Sequence, residues 1–141
     1  MKIGTSVRSL KSLEKTADKW FSYYIRLRDA DDNGFVACVT CGIKKHWKEM
    51  DCGHFVTRNH KLHKYNPRNC NPQCTSCNQF QKGEQFKHGF YIDKKYGQGT
   101  SYLLMACSKA PHKRTQTDLQ YLIEEYKKLA KIEAEKRGIK L

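Results

Sequence analysis

Acidic residues are scarce in this chain, and two long stretches have none. Of 141 residues, 14 are Asp or Glu against 27 Lys or Arg, a formal charge of +13. No acid lies between Asp51 and Glu84, where Arg58, Lys61, Lys64, Arg68 and Lys82 stand, and none lies from Lys94 to Thr117. An excess of this size, set around one region, points to a polyanionic partner such as a nucleic acid. No run of about 18 apolar residues exists, so no membrane span is expected. Met1 to Ser6 lacks the apolar core of a signal peptide, so an intracellular protein is expected. Internal repeats and low-complexity tracts are missing too. An even cysteine count is also lacking. Seven cysteines without an export signal, four of them in CxxC pairs, argue for a metal site over a disulfide scaffold. With 38% hydrophobic and 29% charged residues, the expectation is one folded domain with a modest core.

What is present is concentrated between Cys38 and Asn78. Cys38-x-x-Cys41 and Cys74-x-x-Cys77 bracket Asp51-Cys52-Gly53-His54 and Asn69. Four thiolates in two such pairs close a tetrahedral zinc site, with Zn–S bonds of roughly 2.3 Å. A closed zinc does no chemistry, but it pins two distant segments so that the residues between them converge. The cysteines are therefore read as scaffold, and Asp51, His54 and Asn78 as the working site. Cys52, Cys70 and Cys107 are read as buried or free thiols.

Taken in order, residues 7–30 form an entry helix. Leu10, Leu13, Ala17, Trp20, Phe21, Tyr24 and Ile25 recur at helical spacing as a core stripe, and Lys15, Asp18, Lys19, Ser22 and Arg26 fall largely elsewhere. Arg26 and Arg28 are candidates to face phosphate. Asp31-Asp32-Asn33-Gly34 is a stop and turn. A short β-prone piece leads into the first knuckle, and residues 46–56 read as a strand or hairpin arm. Residues 57–67 read as a basic loop. A helix is expected from Thr75 through Phe80, Phe86 and Phe90 to Tyr96, weakened by Gly83 and Gly89. Residues 101–107 fit either helix or strand. Thr117 is expected to open the last helix, with Gln120 as capping-box partner and Asp118 in the first turn. This amphipathic segment, residues 115–137, packs on its own domain or on a second subunit. His46, His60, His63, His88 and His112 are read as surface residues, with His63 as a DNA contact in reserve.

The spacing of His54, Asn69 and Asn78 directly after the second CxxC resembles the HNH, or ββα-metal, nuclease motif, in the variant with Asn at the third position found in endonuclease VII-type junction resolvases. The segment Ala17-Asp18-Lys19-Trp20-Phe21-Ser22, then Asp51-x-Gly53-His54, Tyr65-Asn66-Pro67-x-Asn69 and Gln73-Cys74-x-x-Cys77-Asn78, is similar to the NinG/Rap family of lambdoid phage recombination nucleases. The similarity covers roughly residues 17 to 97. It implies an α+β fold with a ββα-metal core at residues 35–97, stapled by zinc and flanked by the two helices in one domain of residues 1–141. It further implies a structure-selective DNA endonuclease, encoded by a phage, working in the bacterial host cytoplasm on branched recombination intermediates such as Holliday junctions.

Roles follow from the chemistry of phosphodiester hydrolysis, which needs a deprotonated water in line with the leaving oxygen and positive charge on the transition state. His54 is the expected general base, being largely neutral at pH 7. Asp51 and Asn78 offer oxygens to Mg²⁺, with Mn²⁺ expected to substitute. Asn69 completes the catalytic set by bonding backbone and fixing the hairpin that aims His54. Arg58 is expected to grip a phosphate, with Lys61, Lys64, Arg68 and Lys82 as further DNA contacts. One departure stands out. Many HNH sites carry an acid or His just before the base, where this chain has Gly53. On a regular strand Asp51 and His54 would point to opposite faces, unless a bulge at Gly53 realigns them; Glu49 and Glu84 are the weaker alternatives. A symmetric junction needs two nicks, which suits a homodimer. The competing readings are an HNH nicking or homing endonuclease on duplex DNA, and a non-catalytic zinc DNA-binding module.

Overall fold

The computed structural model describes residues 8–141, so the expected helix start at Val7 lies outside the described residues. Ser9 caps α1 (Leu10–Arg28), its hydroxyl accepting from the Ser12 amide at 3.1 Å. Leu13, Ala17, Phe21 and Ile25, one turn apart, bury the inner face of α1 against Leu119 and Tyr126 of the last helix. The turn at residues 31–34 follows, with Gly34 at φ +83°. Next comes a hairpin of β1 (Phe35–Ala37) and β2 (Lys44–His46), with the first knuckle at its tip. A 3-10 turn at Trp47–Glu49 seats Trp47 among Cys38, Cys74 and Cys77. It leads into β3 (Met50–His54), which pairs antiparallel with β4 (Cys70–Cys74) from Met50↔Cys74 to His54↔Cys70. The architecture is thus mixed α and β with two small antiparallel sheets.

The helix expected from Thr75 to Tyr96 is broken. Ser76–Phe80 forms a π-helical turn, Lys82–Glu84 a 3-10 turn, and only Gln85–Tyr96 is regular helix, α2. Lys82, Gly83 and Glu84 take left-handed backbone, with φ of 54°, 80° and 48°. That conformation costs the two side-chain-bearing residues energy, and it brings the Gly83 carbonyl within 2.9 Å of the buried Gln73 Nε2. Residues 100–106 resolve as helix α3. The last helix, α4 (Gln116–Lys136), starts two residues earlier than expected. Thr115 is the cap and Asp118 its reciprocal partner, with bonds of 3.1 and 2.8 Å.

Helix α4 lies parallel to α1. Gln116 donates to the Arg8 carbonyl at one end, and Arg137 donates to the carbonyls of Ala30 and Asp31 at the other. Its buried Leu119, Tyr126, Ala130 and Ala134 are all used inside the chain. Of the two placements left open for this stripe, its own domain or a second subunit, the structure shows the first, against α1. Among the described residues no helix is long and apolar enough to cross a membrane.

Strand β4 ties these parts together through three side chains at alternating positions, where one strand face is expected to repeat. Asn69, just ahead of the strand, accepts from the Val56 amide and donates to the carbonyls of Val56 and His63 at 2.8–3.2 Å. Asn71 accepts from Arg28 at 3.1 Å and donates to His88 Nε2 at 3.0 Å. Gln73 donates to Gly83 and to the Thr40 hydroxyl. All three are fully buried. One amide clamps the loop between β3 and β4, the next joins α1 to α2, and the third joins the knuckle to the left-handed turn. His88, expected at the surface, is the buried partner in this series, and His63 is buried as well.

Candidate metal centre and adjoining groove

The sulfurs of Cys38, Cys41, Cys74 and Cys77 lie within 4.8 Å of one another. The Cys41–Cys74 separation is 3.8 Å, the edge expected for a tetrahedron of about 2.3 Å Zn–S bonds. The Gly42 amide closes the first knuckle onto the Cys38 carbonyl at 2.8 Å, with Gly42 at φ +81°. Burial raises the pKa of Cys38, but the Thr40 hydroxyl and nearby amides outweigh it and hold the thiol down to about 6. An all-sulfur donor set in this geometry fits a structural zinc ion.

Beside this centre runs a groove of about 480 Å³ between α1 and β3. Asp51, His54, Asn78 and Arg58 all line it. The pairing of β3 is one-to-one through Gly53, so no bulge realigns Asp51 with His54. They converge nonetheless. Among the described residues β3 pairs only with β4, and Asp51 and His54, from its two faces, both line the groove. Gly53 itself is closed to any side chain, because an added Cβ would lie 1.9 Å from Gln73 Oε1.

Backbone groups of both Lys64 and Cys52 hold the ring of His54. Its Nε2 is 2.9 Å from the Lys64 carbonyl, which can only accept, so the neutral ring carries its proton on Nε2 and keeps the Nδ1 lone pair. Burial, then the Arg58 cation, lowers the His54 pKa to about 4. Asp51 and Asn78 meet directly, Asn78 Nδ2 donating to Asp51 Oδ2 at 3.1 Å, and Gln79 donates to the same oxygen at 3.3 Å. The second sulfur-rich cluster, Cys52 and Cys70 beside His54, is buried. Burial and the neighbouring Cys52 thiol push Cys70 well above its ordinary range, so it packs as a neutral thiol.

Several expected site residues sit elsewhere. Lys64 is not a surface contact. Its side chain is 9% exposed, with Nζ bound to Glu14 at 3.1 Å and Asp18 at 3.4 Å. The two acids of α1 thereby anchor the residue whose carbonyl orients His54. Arg28 is largely buried and bound to Asp29, Asn71 and the carbonyls of Pro67 and Cys70. Arg26 reaches the groove but gives its guanidinium to the carbonyls of Trp47 and Met50. Arg58, Lys61, Arg68 and Lys82 are exposed, and of these Arg58 lines the groove. Glu49 and Glu84 lie outside it, Glu84 pairing with Lys87. The far wall comprises Lys15, Lys19 and Ser22 of α1, with Lys48 nearby. The 4- and 3-residue steps from Lys15 to Arg26 are the sequence signal for this wall; alone, such a row reads as a solvated face.

No curated protein and no solved structure matches the chain. Residues 2–137 match the family model described as the Bacteriophage Lambda NinG protein. That span takes in both knuckles, the groove and all of α1 and α4, and the chain belongs to the NinG family of phage proteins.

Proposed function

We propose that this chain is an HNH-type DNA endonuclease that hydrolyses phosphodiesters in branched recombination intermediates within the infected bacterium. The observation that carries the reading is the state of His54: a neutral ring, its Nε2–H held by the Lys64 carbonyl, beside a paired carboxylate and amide in a basic groove. The order β3, β4, then the helical turn bearing Asn78 supports a ββα-metal core. Asp51 and Asn78 present one carboxylate and one amide oxygen, a hard set that fits Mg²⁺ or Mn²⁺ with remaining waters. A divalent cation bound there supplies charge stabilisation for the leaving 3′ oxygen.

The chain's own residues do the rest. His54 Nδ1 accepts the proton of a water as its oxygen attacks phosphorus. Lys64, anchored by Glu14 and Asp18, keeps the ring aimed. Asn69 keeps the Val56 and His63 ends of the intervening loop together, so that carbonyl and ring stay in register. Arg58 meets the substrate phosphate, and Lys15, Lys19 and Lys48 hold the flanking backbone by charge.

The test is cleavage, in Mg²⁺, of an end-labelled four-way junction beside a linear duplex of the same arms. Cutting of the junction alone, abolished in His54→Ala and in Asp51→Ala, is the expected result. Equal cutting of both substrates would replace branch selectivity with a general duplex nuclease. Cutting that survives His54→Ala would remove the assigned base.

A further inference from the structure

The residues after Asn78 carry an aromatic surface that no part of the groove chemistry uses. Phe80, Phe86 and Phe90 are 78%, 89% and 68% exposed. Phe86 and Phe90 are one helical turn apart and so share a face of α2. Isolated exposed apolar residues are ordinary; neighbouring rings this bare mark an interaction surface. The Phe86 ring stands between two shallow hollows, one of about 470 Å³ bounded also by Val39, Phe90 and Lys94, the other of about 520 Å³ bounded by Thr57, Gln81 and Lys82.

We propose that Phe86 and Phe90 form a stacking platform for unpaired bases of nucleic acid, adjoining the groove. The proposal rests on the reading of that groove as a DNA site. Three features select this occupant. Phe86, Phe90 and Lys94 follow one another at four-residue steps on α2, and Lys82 borders the hollow on the other side of Phe86, so a cation stands at each end of the ring pair, which suits a strand that carries phosphates beside its bases; Lys87 is paired with Glu84. A second copy would set these lysines against their own kind, on chains each carrying +13. Position also fits: Phe80 shares the helical turn of Asn78, and Thr57 adjoins Arg58 in sequence. Paired duplex hides its base faces, so a platform here recognises the flaps, gaps and opened branch points where bases are free.

Fluorescence anisotropy tests this with zinc-loaded protein in Mg²⁺-free buffer, using dye-labelled oligothymidine and a blunt duplex of the same length. Stacking of one or two bases predicts that Phe86→Ala/Phe90→Ala weakens oligothymidine binding roughly ten-fold or more, changes duplex binding by less than about two-fold, and that Phe86→Tyr/Phe90→Tyr keeps near wild-type affinity. Equal loss on both probes, no loss on oligothymidine, or no wild-type binding to it would overturn the platform. So would sedimentation showing a wild-type dimer that the alanine variant splits. The two proposals fail separately. A chain that never cuts a junction but shows the ring-dependent preference keeps the platform and loses the nuclease. A cutting chain whose oligothymidine binding ignores the rings does the reverse.

Discussion

Gly53→Ala tests how the groove is built. The new Cβ would lie 1.9, 2.7 and 2.8 Å from Oε1, Cδ and Cγ of Gln73, none of them a tolerable contact. Gln73 cannot swing aside freely, because it is fully buried and its Nε2 bonds Gly83 at 2.9 Å and Thr40 at 3.2 Å. Overpacking of this kind costs about 1–3 kcal/mol, and each bond given up adds about 1 kcal/mol. The expected loss is therefore about 2–5 kcal/mol, which for a domain of this size lowers Tm by roughly 10 °C. Thermal and urea unfolding measure it, and a double-mutant cycle with Gln73→Ala isolates the cause. In the Gln73→Ala background the same methyl should cost almost nothing. A loss below about 0.5 kcal/mol, or an equal loss in both backgrounds, would refute the account of why glycine precedes His54.

Other expectations concern charge and metal. His88 is buried and His54 half-buried, both neutral, with pKa values of about 4 set first by desolvation. Their folded values lie below the unfolded value, so they stabilise the fold above about pH 6.5, and that contribution fades as pH falls toward 4. By pH 5 each should have withdrawn about 2 kcal/mol, and His88→Gln should flatten the denaturation profile between pH 7 and 5. Arg58→Gln removes a cation that lowers the His54 pKa, so the ring should titrate at higher pH in NMR while folding is unchanged; an unmoved titration would place Arg58 too far away to matter. Chelating zinc should unfold the knuckles and shift Trp47 emission to the red, since that indole is buried with Cys38, Cys74 and Cys77. Unshifted emission after zinc loss would show that the core there stands without the ion.

The parts legible in the sequence were those with a period or a fixed spacing. The stripe of α1, the stripe of α4 and the two CxxC pairs each announce their partner type, and the structure brings the four sulfurs together. Boundaries were less legible, because caps are decided by single side chains. Thr115 with Asp118 makes reciprocal bonds where Thr117 with Gln120 only matches the pattern. The fate of individual cations was not legible at all. Lys64 looks like its neighbours Lys61 and Arg68, and only the approach of Glu14 and Asp18, some 50 residues upstream in sequence, buries it. The spacing Asn69-x-Asn71-x-Gln73 went unread in the sequence; amides at every second position fit one face of a strand, and the fold turns that face inward.

The same physics explains the departure at Gly53. Asp51 and His54 both line the groove beside β3 with no bulge between them. The position between Cys52 and His54 is filled from across the sheet by Gln73, which the left-handed turn at residues 82–84 and the knuckle at Thr40 hold in place. An acid at position 53 would have to displace that side chain and with it the link between zinc site and α2. A carboxylate at Asp51 leaves the link intact and meets Asn78, one residue beyond Cys77. The four-cysteine cluster, the amide series of β4 and the position of the acid are thus one constraint. A chain with an acid at position 53 would be expected to lack Gln73 as well.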